Sequence, residues 1–450
     1  MPIVRPDRTE RRVVVVLAVA AAIAAPAVVL RVLCVGQACA EPAEVRAEVP
    51  FCSLPEDLRR RISQGYRDGR SPELLAVTAE TPITGGDGIG ADGPRPAWPS
   101  AHGPPPAIPI VFSGAGVRAG ATVAPGTGLQ DVAPTVAEII GLRRPHPDVR
   151  SGQAIAGVAS GDHPRLVVEV VWKGVGAEDL AGAPGAWPTL RGLLRDGAGT
   201  LRGDPGSEPL DPAALLATLG TGGLPSEHGI TGTLLRNDGG RVVRAWGPGA
   251  PFSVIAALGD DLDRRLRQEP RIGLVGTDVS DRGAIGGNWY LRGDRDDVTI
   301  GRDAAAAQAA EAERLVATGY GADDVPDLLV VVMRDSVRAM DRALSRVVAA
   351  ARGASEGSVA MVVTSTGAVP PAGEAVGAER VTRQVERSVG QEIVEATAMG
   401  GLFLDQRELG RGTTTQDEVL SALRDLPAPG RARLVADAFT GVAISLARYC

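Results

Sequence analysis

The stretch RLVVEVVWKGVG, from Arg165 to Gly176, decides the fold of this chain. Its apolar residues run almost unbroken from Leu166 to Trp172, a pattern typical of a strand that is buried on both faces of a parallel sheet. The ends of such strands carry the functional side chains of α/β proteins. Here the strand ends at Lys173, the single lysine among the 47 lysine and arginine residues of the chain. This strand end is therefore the first candidate for a functional site.

Four segments that follow the start of this strand resemble motifs of one large hydrolase superfamily, which contains the alkaline phosphatases, the type I phosphodiesterases and nucleotide pyrophosphatases, and the sulfatases. The most specific is TGGLPSEHGI at 221–230, which resembles the "TG..P..HGi" signature of the phosphodiesterase branch. The others resemble the helix after the first strand, a "pDlllv" strand with its helix, and the "vvvtSDHG" strand. They lie at 187–198, 326–344 and 358–367. The resemblance covers most of residues 165–370.

Three further segments resemble the part of the superfamily's domain that usually closes the fold, but here they precede the first strand. They lie at 59–70, 102–117 and 131–152. The last contains DVAPTVAEIIGL, which resembles "DiaPTla.llGi". This order predicts one circularly permuted domain over residues 51–450. In it, residues 51–155 match the family's C-terminal part and residues 165–450 match its N-terminal and central part.

The resemblance implies an α/β fold, an alkaline-phosphatase-like three-layer sandwich with a mixed, mostly parallel central sheet and helices on both faces. We expect an alanine- and glutamate-rich helix over 303–318. The stretch from Thr231 to Asp296 is predicted to form a variable lid over the C-terminal edge of the sheet, where such segments often set substrate choice.

The four cysteines offer a check on the permutation. If the chain is permuted, its last residue should lie beside the start of the domain, so Cys450 is expected to form a disulfide with Cys52. Cys34 and Cys39 would remain as a short local pair. The alternative is that all four are unpaired small residues.

The N-terminal region predicts export. Arginines at 5, 8, 11 and 12 precede an uncharged apolar run from Val13 to Leu30. That run is long enough for a marginal transmembrane helix, and the flanking positive charge places the N-terminus in the cytoplasm. We interpret 1–12 as a cytoplasmic N-terminus, 13–33 as a signal anchor or signal peptide, and 34–50 as a linker. The domain would lie outside the cytoplasm, in a single-pass protein of the cell membrane, or in a secreted protein if the segment is cleaved.

The catalytic positions implied by the resemblance are degenerate. Active members of the superfamily hold two metal ions, usually zinc, and use a threonine or serine nucleophile. Lys173 stands at the first metal-binding aspartate, and an ammonium group has no lone pair to offer a metal. Of all these positions, His102 alone clearly matches a metal ligand. The nucleophile region corresponds to Leu210, Asp211 and Pro212, and the remaining metal positions correspond to Asp335, Thr366 and Gly367.

Two interpretations of Lys173 remain open at this point. In the first, the ammonium occupies the space of a metal and faces a remaining carboxylate such as Asp335 or Asp211, since an unpaired buried charge is costly. In the second, the side chain reaches solvent from the strand end. The remaining histidines add no catalytic group, because His228 matches a motif histidine that does not bind metal, and His146 and His163 lie in loops without an evident partner.

We therefore expect a membrane-anchored pseudoenzyme that works as a binding or scaffold protein of the cell envelope, with no metal cofactor. Zinc would be expected if the ligand assignment were wrong. One alternative is a residual phosphodiesterase or phosphatase; another is an anion-binding module in which Lys173, Arg334 and Arg338 hold a phosphate. The expected partners are the membrane, an envelope protein or a phosphate-containing ligand. A net charge of −7 with no block of like charge argues against a nucleic-acid surface.

Overall fold

The computed structural model describes residues 50–87, 97–102, 105–287, 289–290, 295–301, 303–367, 375–428 and 433–450. These residues belong to one compact unit that extends over Val49–Cys450. The predicted cytoplasmic segment, the predicted anchor and the predicted Cys34–Cys39 pair lie outside the described residues. In the described part of the chain, no helix has the length and apolar character needed to cross a membrane.

The strands and helices are numbered here in chain order. The strands are β1 (Leu74–Thr78), β2 (Ile83–Thr84), β3 (Ile108–Gly114), β4 (Leu166–Trp172), β5 (Ala198–Gly203), β6 (Leu234–Arg236), β7 (Val242–Arg244), β8 (Ile272–Val275), β9 (Asp297–Thr299), β10 (Asp327–Met333), β11 (Val359–Ser365), β12 (Val376–Gly377), β13 (Val394–Ala398), β14 (Gly401–Leu404) and β15 (Val435–Thr440). The helices are α1 (Glu56–Gly65), α2 (Val132–Ile139), α3 (Ala177–Gly182), α4 (Pro188–Asp196), α5 (Pro212–Thr221), α6 (Pro225–His228), α7 (Leu258–Leu266), α8 (Ala305–Val316), α9 (Val337–Ala354), α10 (Ala378–Val389), α11 (Gln406–Gly410), α12 (Gln416–Arg424) and α13 (Gly441–Ser445).

The largest sheet, as far as the described residues show it, has seven strands in the order β5-β3-β11-β4-β10-β8-β9. Strand β3 runs antiparallel to both of its neighbours, and the other adjacent pairs run parallel. Trp172 at the end of β4 lies beside Met333 of β10 and Ser365 of β11. The residues that follow these three strands, including Lys173 and Thr366, therefore meet at one edge of the sheet.

Helices cover both faces of this sheet. Because successive side chains of a strand point to opposite faces, β4 contributes Val167 and Val171 to one core and Val168 and Val170 to the other. The first core contains residues of α2, α5 and α7, and the second contains residues of α4, α8 and α9. The predicted α/β class with a mixed, mostly parallel sheet is confirmed, and α8 is the helix expected over 303–318.

The two ends of the domain meet at a second, antiparallel sheet with the order β13-β14-β1-β15 in the described part of the chain. Leu75 of β1 pairs with Phe439 of β15. The ring of Phe439 packs edge-on against Phe51, with 5.1 Å between the ring centroids. Cys52 follows Phe51 and forms a disulfide with Cys450, with a Cα–Cα distance of 5.3 Å. The predicted bond between the first and last parts of the domain is confirmed.

The prediction of a lid over Thr231–Asp296 is wrong for part of this stretch. It contains α7 and also β8, which is a strand of the central sheet beside β10. The apolar run of β8 is only four residues long, so it gave little periodic signal. Gly273 in this strand is required by packing, because a Cβ there would lie 2.5 Å from the Tyr320 hydroxyl oxygen.

Candidate functional site

Lys173 lies at the carboxyl edge of the central sheet, and its side chain is held in a buried ion pair. The Lys173 backbone N–H donates to the carbonyl of Met333 at 2.8 Å, which fixes the residue between β4 and β10. Its ammonium group donates to Thr277 Oγ1 at 2.7 Å and forms a short contact with Asp281 Oδ1. Lys173 is 8% exposed and Asp281 is 0% exposed. The side chain therefore does not reach into open solvent.

The carboxylate of Asp281 is held on its other side by the turn after β8. Its Oδ2 accepts hydrogen bonds from the Thr277 N–H at 2.7 Å, the Thr277 hydroxyl at 2.9 Å and the Asp278 N–H at 3.1 Å. These donors, with Lys173, compensate the cost of burying a carboxylate. The expectation that Lys173 faces Asp335 or Asp211 is wrong. Its carboxylate partner is Asp281, which lies in the stretch that the sequence predicts to be a lid.

A second ion pair lies next to the first. Arg244, at the end of β7, donates to both carboxylate oxygens of Asp278 at 3.1 Å. Burial acts to raise the pKa of Asp278, but hydrogen bonds from Ser280 and the positive charges of Arg244 and Lys173 lower it overall. Two cations thus face two carboxylates at this edge, so the cluster carries no excess positive charge for an anion.

The segment predicted as the nucleophile region forms the start of a helix. Asp211 caps α5, because its Oδ1 accepts from the Ala213 N–H at 2.9 Å and from the Thr233 hydroxyl at 2.9 Å. Pro212 is the first residue of α5, where a missing N–H has no cost. Burial raises the pKa of Asp211.

The positions that resemble the aspartate and histidine of "SDHG" are structural as well. The Thr366 hydroxyl accepts a hydrogen bond from the Gly174 N–H at 3.0 Å, and the Thr366 N–H donates to the Trp172 carbonyl at 3.2 Å. Gly367 has a φ of 92°, and a Cβ added there would lie 2.7 Å from Leu210 Cδ1. Leu210 thus fills the space beside Gly367.

The other two predicted positions are Asp335 and His102, and each has surroundings different from those of Lys173. Asp335 accepts from the Ser336 N–H at 2.7 Å and from the Ala305 N–H, at the start of α8, at 3.4 Å. His102 is exposed and lines a cavity of about 490 Å³ together with Leu210. Of the eight residues predicted for the metal and nucleophile positions, the structure therefore brings Leu210 against Gly367 and bonds Thr366 to the backbone of Gly174, next to Lys173.

The donor set does not fit zinc. Across the described ranges, no group of three or more histidine, cysteine, aspartate or glutamate side chains is placed to hold a metal ion. Among the residues predicted at the metal positions, the ammonium of Lys173 is already bonded to Asp281, Thr366 offers a hydroxyl group, and Gly367 has no side chain. Zinc sites in proteins need three or four nitrogen, sulfur or carboxylate ligands around one point.

Two of the histidines outside these positions, His228 and His163, have structural contacts. His228 accepts from the Ile230 N–H at its Nδ1 at 3.1 Å, so its Nε2 carries the proton and donates to the Thr218 hydroxyl at 3.1 Å. Burial lowers the pKa of His228 to about 3, and the imidazole is neutral at pH 7. His163 was expected to have no partner, but its Nδ1 lies 3.0 Å from the carbonyl oxygen of Ile139.

Comparison of the chain with protein-family models, with curated proteins and with solved structures gives no match.

Proposed function

We propose that this protein is a binding or scaffold protein of the cell envelope, built on an alkaline-phosphatase-like domain that does not hydrolyse phosphate esters. The observation that carries the proposal is the buried pair of Lys173 and Asp281 at the position of the first metal ligand. A cation fixed at this place repels a divalent metal ion, and its carboxylate partner is saturated by other donors.

The contacts of the nucleophile region support the same conclusion. A nucleophile needs a reactive atom that is exposed to substrate, but Asp211 is 4% exposed and its Oδ1 already accepts two hydrogen bonds. Leu210 occupies the space beside Gly367 with an apolar side chain. The alternative of a residual phosphodiesterase or phosphatase, with Asp211 as nucleophile and His102 as ligand or acid, therefore receives less support.

The alternative of a phosphate-binding module also receives less support at this edge. A phosphate site needs donors and positive charge that are not already used. The charge of Lys173 is compensated by Asp281, and that of Arg244 by Asp278.

An envelope location is supported by two independent features. The apolar run from Val13 to Leu30 follows a basic N-terminus, as expected for a signal anchor or signal peptide. The bond between Cys52 and Cys450 fits an oxidising compartment, since disulfides are rare in proteins that stay in the cytosol.

Metal analysis and a hydrolysis assay test the proposal together. Purified protein is incubated with zinc, desalted and analysed by mass spectrometry, and a chromogenic phosphodiester is offered in parallel. We expect no stoichiometric metal and no turnover. An Asp211→Asn/His102→Ala variant is the matched control, because turnover that persists in it comes from a contaminating enzyme. Two bound metal ions together with turnover that this variant loses would show that the protein is a hydrolase.

A further inference from the structure

A cavity of about 490 Å³ lies beside Leu210, between α1, the segment after β1 and the start of α3. This volume lies within the range of sites for small organic ligands and far exceeds the space that a metal ion needs. Its walls are partly apolar and include Leu58, Trp98 and Leu210. None of the residues that bond to Lys173 lines it, so it is distinct from the Lys173–Asp281 pair, although Leu210 and His102 belong to its lining.

The cavity wall contains a buried ionic group with an unused acceptor. Arg61 Nε donates to Glu208 Oε1 at 2.9 Å, and Arg61 Nη1 makes a short contact with Asp57. One guanidinium group therefore serves two carboxylates. Glu208 is only 6% exposed, and no described residue donates a hydrogen bond to its Oε2. This oxygen is not one of the fully buried atoms that lack a partner, so it is open to the cavity that Glu208 lines, where a ligand can donate to it.

The rim of the cavity adds further negative charge. Glu80 and Glu178 are exposed, and neither has an ion-pair or hydrogen-bond partner in the part of the chain that the structure describes. Arg202 is the one cation among the described rim residues, apart from the titratable His102. With four carboxyl and two guanidinium groups, and His102 set aside, the lining residues that the structure describes have a net charge of −2.

We propose that this cavity binds an organic cation, namely an ammonium or guanidinium group carried on an apolar stem. The inference deepens the binding function proposed above and rests on it. Glu208 Oε2 accepts a hydrogen bond from the cationic head, Glu80 and Glu178 supply the opposite charge, and the apolar wall contacts the stem. Free amines and the lysine or arginine side chains of a partner protein share this chemistry. A phosphate ester is disfavoured here by the sign of the charge.

Isothermal titration calorimetry on the purified full chain tests the proposal with four probes. Agmatine represents a free organic cation, a short arginine-containing peptide represents a partner side chain, and propionate and inorganic phosphate are the matched anions. We expect heat with at least one cationic probe and none with either anion. Tighter binding of agmatine indicates a small amine as the ligand, and tighter binding of the peptide indicates a partner protein.

Variants locate the binding. Glu80→Gln and Glu178→Gln are each expected to weaken the affinity for the cationic probe about fivefold, because each removes one partly solvated charge. Arg202→Gln is the matched control of opposite sign and should leave the affinity unchanged or raise it. Since Glu208→Gln alters a buried ion pair, its folding is checked by thermal denaturation before titration.

The proposal is overturned if neither cationic probe binds when its concentration reaches about 10 mM. A site built for such a cation should have a dissociation constant well below this concentration. It is also overturned if both rim variants keep the wild-type affinity, or if phosphate binds more tightly than the cations. Hydrolysis of a phosphodiester would instead refute the proposed function, so the two failures have different readouts.

Discussion

Replacing Lys173 by methionine removes the positive charge from the buried strand end and keeps an unbranched apolar side chain of similar length. Asp281 would keep three hydrogen bonds, all of them to its Oδ2. Its Oδ1 would lose the donor that it has in the native protein, the ammonium of Lys173. A fully buried carboxylate would then have no cation beside it.

The expected loss of stability follows from this geometry. Removing one partner of a buried ion pair typically costs about 3–5 kcal/mol, and we expect about 3 kcal/mol for Lys173→Met because Asp281 keeps most of its donors. Asp281→Asn should also cost about 3 kcal/mol, because the amide oxygen still accepts from the backbone but the buried ammonium of Lys173 loses its carboxylate. The double variant has no unpaired charge and should lose about 3 kcal/mol in total, which gives a coupling of about 3 kcal/mol.

Urea unfolding at pH 7 measures these free energies, with tryptophan fluorescence as the signal, because Trp172 is fully buried beside Lys173. Arg346→Met is the control, since the pair of Arg346 with Glu313 is exposed and should change the stability by less than about 1 kcal/mol. If Lys173→Met has the stability of the native protein, or if the two single changes add up in the double variant, the pair does not stabilise this edge and the reasoning is refuted.

Three further predictions follow from other parts of the molecule. Cys52→Ser is expected to lower the free energy of unfolding by about 3–6 kcal/mol, because the disulfide closes a loop with a sequence separation of 398; reductant should lower the melting temperature of the native protein and not of the variant. Burial in β4 raises the pKa of Glu169 from 4.5 to about 8, so the folded state binds a proton that the unfolded state has released, and the free energy of unfolding falls as the pH rises between these values. Glu169→Gln should flatten this pH dependence, and equal slopes in both proteins would contradict the burial of this group. Gly367→Ala should cost about 1–3 kcal/mol, since the new methyl group meets Leu210 and the backbone φ is positive; Gly357→Ala is its control, because that glycine also has a positive φ but an added Cβ meets no atom within 4 Å.

The strands at the centre of the domain could be predicted from the sequence because their signal is local. Strands β4, β10 and β11 are buried along their whole length and consist mostly of apolar residues. Such apolar runs are visible in any short window of sequence. Strand β8 was missed, because four residues with a glycine among them carry no such run. The disulfide between Cys52 and Cys450 was predicted from the order of motifs, which is information from the whole chain.

The sequence by itself determined that a lysine stands at the end of the central strand, and it predicted that Cys52 and Cys450 bond to each other. Only the tertiary structure decided which groups the side chains at this sheet edge meet. The partner of Lys173 lies 108 residues away, and Leu210 meets Gly367, which follows β11 and is distant in sequence. Contacts of this kind depend on how helices and strands pack against each other, and periodicity and spacing describe the chain only over a few residues at a time. The same limit applies to the acidic cavity, whose lining comes from α1, from the segments around β1 and β5, and from α3.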